Sequence, residues 1–359
     1  MKRFTDWLLR RSTVWLLLAI FLIGSFVIWW LNIPLIEDMF TVGAITLIMV
    51  MGFQMFMGNS GILSWSFVGY VGIGAFVSAI CSMQPQLKSM QIPVMYDVLV
   101  KIHMPFPVAL VVGAVVAALI AAVIAWPLMR LSDAVGAITQ FALLIVINVL
   151  LAQWQEVTNG PRTFTLGGTR LTTFWVAVLV AAASIVVAYF FKESSWGLRL
   201  RASRDDRYAA TATGVNVIAM RYVAYVISAA IGAIAGGLYS HYILSITAAS
   251  FYMSQLFQIM SMVVIGGSMS VSGAFFGTVL VTLADQGLRQ FEFFLTQQGA
   301  NAYGITEIVL AILMILFLIL RPGGIAGGRE LSLAGLAGRG RKRKQKREQE
   351  EPLEPDTTD

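Results

Sequence analysis

What this sequence has least of is charge. Of its 359 residues only 12% are Asp, Glu, Lys or Arg, while 58% are hydrophobic. A soluble domain carries roughly 25% charged residues, so a water-soluble globule is excluded. Cysteine is nearly absent: Cys81 stands alone in an apolar stretch. One chain can therefore build neither a disulfide nor a cysteine-rich metal site, and Cys81 reads as a small packing residue. The two histidines, His103 and His241, are far apart, and no H-E-x-x-H occurs. No G-x-x-x-x-G-K-[ST] is present, which removes that backbone cradle for ATP phosphates. Neither a G-x-S-x-G nor a paired-carboxylate arrangement stands out. The chain lacks the parts of an enzyme, and no cofactor or metal is expected. Strands of alternating polarity are missing too, so a closed barrel is excluded and helices must satisfy the backbone in lipid.

What is present is apolar length. Chargeless runs cover residues 14–36, 39–87, 102–129, 134–155, 171–191, 222–284 and 308–320, and several far exceed the roughly 18 residues that mark a spanning helix. The fold class is all-α: a polytopic helical membrane protein of about ten transmembrane helices with broken or re-entrant segments. Lys2, Arg3, Arg10 and Arg11 hold residues 1–13 in the cytoplasm by the positive-inside rule. No small-residue cleavage site follows the first span, so it reads as a retained helix. Pro34, Glu37 and Asp38 make an outer turn. Residues 86–107, with a solvated His103, and 156–162 form outer loops.

Two clusters interrupt the apolar runs. The first is Gly58-Asn59-Ser60-Gly61-Ile62-Leu63-Ser64, and the second contains Gly266 and Gly267. Such a break is either a discontinuous helix whose free N–H groups face a polar substrate or a tight turn at the surface. On the first reading Asn59, Ser60, Gly61, Ser64, Gly266 and Gly267 are translocation-path candidates. Gly232/Gly236 and Gly273/Gly277 have the G-x-x-x-G spacing that lets helix backbones approach in lipid. His241, between Tyr239 and Tyr242, is expected in an outer aromatic belt. Asp285 and Arg289 lie four apart and can pair. Ionisable groups at membrane depth are functional candidates, but with Glu292 nearby the pair reads as structural, as does Glu307.

One charged segment, residues 192–220, divides the apolar spans, and Arg199, Arg201, Arg204 and Arg207 place it in the cytoplasm. Ser203 followed by Asp206 has the spacing of a capping box. Asp205 and Asp206 suit the positive end of a helix dipole, and Gly214 with Asn216 supplies a stop. The expected helix of roughly ten residues is too short to span. Its body, Ala209 to Thr213, is small and could bring its backbone close to another protein's groove. Residues 328–359 carry a basic run at 339–347 and an acidic one at 348–359. They read as a disordered cytoplasmic tail with membrane lipid as a weak partner and no nucleic-acid interface.

Four landmarks, in order, carry a resemblance that covers about residues 40–327. They are Trp196-Gly197-Leu198-Arg199-Leu200-Arg201-Ala202-Ser203-Arg204-Asp205-Asp206 with Ala209-Ala210, Gly214 and Asn216; Gly58 to Ala75; Arg130-Leu131 with Ala137-Ile138 and Gln140; and Arg321-Pro322-Gly323-Gly324. The chain resembles the membrane permease subunits of branched-chain amino acid type ABC importers. It departs from them at Tyr208, where the general coupling motif has glutamate, and at Trp65-Ser66, where many members have Gly-His. Counting about ten alternating spans puts both termini in the cytoplasm, and the resemblance implies an ABC importer permease in a bacterial inner membrane. Its cargo would be a branched-chain or related amino acid, and its partners a homologous permease, two ATP-binding subunits and an external substrate-binding protein. It also implies that Arg201, Ser203, Arg204, Asp205, Asp206, Ala209, Ala210 and Gly214 contact the ATPase. The rival reading is an ion-coupled secondary transporter or channel, with Asp285, Arg289 and Glu307 as its coupling parts.

Overall fold

Chargeless runs of this length can only close their backbone hydrogen bonds internally, and the chain is accordingly helical. The computed structural model describes residues 2–168, 170–298, 304–321, 323–327 and 330, with side chains from Thr13 onward. The helices are α1 (Lys2–Leu31), α2 (Pro34–Ser60), α3 (Phe67–Ser82), α4 (Pro85–Gln91), α5 (Asp97–Lys101), α6 (Phe106–Leu128), α7 (Asp133–Gln153), α8 (Gln155–Thr158), α9 (Phe174–Glu193), α10 (Ser195–Asp205), α11 (Arg207–Ala212), α12 (Val217–Ile243), α13 (Met253–Gly266), α14 (Val271–Gln297) and α15 (Ile305–Leu320). Two residue pairs, Phe164–Thr165 and Ser245–Ile246, form a minimal antiparallel ladder.

Among the described residues, eight segments are long and apolar enough to cross a membrane: Thr13–Leu31, α2, α6, α7, α9, α12, Ala248–Gly266 and α14. The count becomes nine if α3 and α4, bent by 119° at their junction, form one span. The sequence suggested about ten. The difference lies in short helices, since α3 and α15 have 16 residues each. The run 39–87 holds most of α2, a turn, α3 and the start of α4. The run 222–284 holds α12, α13 and the start of α14.

The core forms around α12, which packs against α2, α3 and α6. Its approach to α3 depends on small residues on both sides. A Cβ on Gly236 would lie 2.0 Å from the Val71 carbonyl oxygen, and one on Gly74 would lie 2.3 Å from that of Ala233. The second G-x-x-x-G pair closes the α13–α14 hairpin, where a Cβ on Gly277 would sit 2.1 Å from Met262 O. Both spacings therefore bring backbones together as expected.

His241 is not in an interfacial belt. It is fully buried between α12 and α3, with Nδ1–H donating to Gly237 O at 2.7 Å and Nε2 accepting from Ser82 Oγ at 2.6 Å. A ring satisfied at both nitrogens by neutral partners is a structural tie. The charged tail from residue 331 onward lies outside the described residues, but its neighbour Glu330 does not.

Candidate functional site: the segment between α9 and α12

The polar segment begins where α9 ends. Ser194 caps α10, accepting from Gly197 N–H at 3.2 Å. Asp206, in extended conformation, separates α10 from α11. Its Oδ1 accepts from the N–H groups of Tyr208 (2.8 Å) and Ala209 (3.0 Å), which satisfies two orphan donors of the next helix. This corrects the sequence reading. Ser203 is not the cap: it lies inside α10, buried, donating to Leu200 O at 2.7 Å. Asp205 ends α10 instead of starting a helix. The expected ten-residue helix is in fact the six residues of α11. Gly214 does provide the stop, in left-handed conformation (φ 83°) with Val215 N–H reaching back to Ala210 O. Asn216 starts α12, accepting from Ala219 N–H.

The named residues divide into two sets. Arg201, Ser203, Arg204 and Ala210 turn inward. Arg201 Nη2 donates to Lys192 O at the end of α9 (3.0 Å). Arg204 Nη1 donates to Gly58 O in the last turn of α2 (2.8 Å), and its Nη2 pairs with Asp205 at 3.2 Å. Asp205, Asp206, Ala209 and Gly214 face outward, beside Trp196, Leu198 and a Tyr208 that is 89% exposed. A short capped helix thus presents small residues and one bare aromatic on a rigidly held base.

Sequence reasoning missed part of that base. Asp133, at the first turn of α7, accepts from Arg221 Nη1 (2.7 Å) and lies 3.8 Å from Arg207 Nη1. Arg221 is only 2% exposed, so α7, α11 and α12 are tied at one carboxylate. The available signal was position: Asp133 is the acid nearest Arg130 at the start of an apolar run, and Arg221 is the last charge before another.

The two breaker clusters, read as separate, meet at this same end of the bundle. A Cβ on Gly58 would lie 2.3 Å from Ser268 O, and one on Gly61 would lie 2.7 Å from Arg204 Cγ. Gly61 is a left-handed C-cap (φ 75°) whose N–H returns to Met57 O. Asn59 donates to Met55 O, while Ser60 donates to Phe56 O and accepts from Ile62 N–H. These groups are satisfied within their own helix end instead of standing free. Gly267 turns the α13–α14 hairpin, where Ile325 N–H donates to Ile265 O and Ala326 N–H to Gly266 O. Ser64 is buried in the turn before α3. Deeper in the same region, Ser66 Oγ, Tyr225 OH and Tyr70 OH form a buried chain of hydroxyls with separations of 2.6 and 3.1 Å.

Glu330 closes this end from the C-terminal side. Its carboxylate accepts from Val271 N–H (2.8 Å), Ser272 N–H (3.1 Å) and Ser272 Oγ (2.7 Å), and it pairs with Lys192. Burial would push this carboxyl up, but the Lys192 ammonium and the three donors outweigh it and hold it below the usual carboxylate range.

Comparisons with known proteins agree with this architecture. A profile of the family described as the branched-chain amino acid transport system permease component matches residues 35–318. The high-affinity branched-chain amino acid transport system permease protein LivM of Escherichia coli K12 is 23% identical over 321 residues, covering 80% of this chain and 69% of that protein. The probable branched-chain amino acid transport permease protein LivM of Methanocaldococcus jannaschii is 26% identical over 206 residues, covering 55% and 58%. The probable LivH permease of that organism is 25% identical over 166 residues, covering 46% and 50%. No solved structure matches. With the match spanning eight of the long or broken apolar segments and the polar loop between them, the chain belongs to the permease component family of branched-chain amino acid transport systems.

Proposed function

We propose that this chain forms the translocation path for branched-chain or related amino acids in a bacterial inner-membrane ABC importer, and that the α10–α11 segment is its contact with the ATPase. Family membership makes it a multi-pass transport subunit that works with other ABC components. The observation that carries the finer reading is α11 itself. It is capped at Asp206 and ended at Gly214, and Arg204, Arg207 and Arg221 anchor its base to α2 and α7. A self-powered transporter has no need of such a helix.

On this reading two ATP-binding subunits, a homologous permease and an external binding protein complete the complex. The Arg204 end of the bundle, residues 1–13 and residues 328–359 face the cytoplasm. The ATPase must contact α11 differently in its two states, because only differential contact can shift an equilibrium. Motion of α11 would then pass through Arg204 to the ends of α2 and the α13–α14 hairpin.

The test is co-purification from native membrane with a bulky change on the exposed face. Ala209→Trp has open solvent to occupy, so expression and bundle stability are expected to hold while ATPase recovery falls at least tenfold. Equal recovery from wild type and variant would refute the contact.

A further inference from the structure

Away from the loop, a cleft of about 430 Å³ opens between α13, α14 and α15 where α13 and α15 begin, lined there by Met253, Ser254 and Glu307. Asp285 lies 14 residues into α14, about 21 Å from its loop end at 1.5 Å per residue. One wall is apolar, made by Met253, Phe257, Leu310 and Met314; facing it are Asp285, Arg289 and Glu307. Arg289 Nε–H donates to Asp285 Oδ2 at 3.0 Å. The other carboxylate oxygen, Asp285 Oδ1, is buried and has no hydrogen-bond partner among the described residues, although the residue is only 5% exposed. A buried acceptor left without a donor is costly, and in a membrane span it marks a functional position. Arg289, by contrast, remains 53% exposed. Glu292 does not face the cleft; it accepts from Gly304 N–H and Thr306 Oγ1, tying the start of α15 to α14.

The lining therefore offers one vacant acceptor with a second carboxylate nearby, one accessible guanidinium and an aliphatic wall. With two carboxylates to one guanidinium the lining is net negative, so a bare anion is repelled. A bare cation would meet the carboxylates but leave the Arg289 guanidinium unused, whereas a zwitterion engages both Asp285 and Arg289. We propose that this cleft is a subsite for a free aliphatic α-amino acid: its ammonium donates to Asp285 Oδ1, its carboxylate meets Arg289, and its side chain lies against Phe257, Leu310 and Met314. The site rests on the importer reading, since it names where that cargo is recognised within the permease. A phosphatidylethanolamine headgroup shares the ammonium-and-anion chemistry, and the test separates the two.

Ser254 lies on the rim and is exposed, whereas Cys81 is buried. The full chain carrying Ser254→Cys is placed in phosphatidylcholine nanodiscs and labelled with a maleimide. Millimolar L-leucine should slow labelling at least threefold. 3-Methylbutylamine, which lacks the carboxylate, and 4-methylpentanoate, which lacks the ammonium, should not. Asp285→Asn and Arg289→Gln should each abolish protection, and Glu307→Gln, at an exposed position, should weaken it with the fold undisturbed. Equal protection by all three compounds, protection that survives Asp285→Asn and Glu307→Gln, or protection by phosphatidylethanolamine in place of leucine would overturn the site. ATP-driven leucine uptake by the reconstituted wild-type complex reports on the importer reading separately. Uptake without protection refutes the cleft alone; protection without ATP-driven uptake refutes the importer.

Discussion

Replacing Glu330 by glutamine tests whether the C-terminal segment is locked to the bundle or merely lies against it. The carboxylate takes three hydrogen bonds from the first turn of α14 and pairs with Lys192, whose side chain is 4% exposed. Removing one partner of a buried pair costs about 3–5 kcal/mol. Two features reduce that here: Lys192 keeps a bond to Met269 O at 2.7 Å, and Glu330 is itself 18% exposed. The amide also turns a donor toward backbone donors at a helix start, where a lost cap costs about 1 kcal/mol. A loss of about 2–3 kcal/mol in local opening follows, which is a 30- to 150-fold rise in exchange at about 1.36 kcal/mol per decade. The reporters are the amides of Ile325 and Ala326, which bond to Ile265 O and Gly266 O only while the segment is docked. The pH dependence has a definite sign. The folded carboxyl is held below its unfolded value, so its contribution is present above the ordinary carboxylate range and is lost as pH falls through the lowered folded value. Wild type should lose protection over that acid window, and Glu330→Gln should already be exchange-prone and flat across it. Equal protection in the two proteins at neutral pH would refute the lock.

Asp206→Ala should uncap α11 at a cost of about 1 kcal/mol, lowering ATPase recovery while detergent melting of the bundle stays unchanged; a variant that binds fully would show that the helix need not be preformed. Gly236→Ala forces a methyl toward Val71 O and should destabilise the α3–α12 contact by about 1–3 kcal/mol, read as a lower melting temperature. Gly287→Ala, where a Cβ meets nothing, is the matched control. Asp133→Asn leaves the buried Arg221 guanidinium without its counter-charge, but Asp133 is itself 59% exposed and the amide keeps an acceptor oxygen. A loss of about 1–2 kcal/mol is therefore expected, below that of a fully buried pair; an unchanged melting temperature would place the pair outside the stability of the fold.

The helical class and the position of the polar segment were legible because both depend on local composition: chargeless length for the spans, clustered arginine for the loop. Pairings inside one helix were legible for the same reason, as with Asp285 and Arg289. What failed was facing. Ser203 and Asp206 both belong to one capping pattern, and the choice between them is made by the burial of Ser203 inside α10, where its hydroxyl is already spent on Leu200 O. His241 shares a short sequence with Tyr239 and Tyr242, but a step of about 100° per residue turns it toward Ser82 while the neighbours point elsewhere. Contacts across long sequence separations left no signal at all: Glu330 is 138 residues from Lys192, and Arg204 is 146 from Gly58.

That last contact alters what the breaker clusters mean. Had the 58–61 turn stood alone, its glycines and hydroxyls would be explained by helix ending, since each bond named there closes on its own helix. Arg204 makes it part of a joint. One guanidinium holds the end of α2, whose Gly58 abuts Ser268 in the α13–α14 turn, and that turn carries the C-terminal segment held by Glu330. A force applied at Tyr208 would therefore reach α2, α13 and α14 through backbone contacts too close to compress, while the Asp133 ties carry it to α7 and α12. The cleft at Asp285 lies on α14 itself, so a displacement of the α13–α14 turn is transmitted to it along a continuous helix. If the joint carries the stroke, Arg204→Lys, which retains charge but loses the planar fork, should keep ATPase recovery near wild type and lower leucine uptake per ATP hydrolysed. Uptake per ATP equal to wild type would show that the force takes another route.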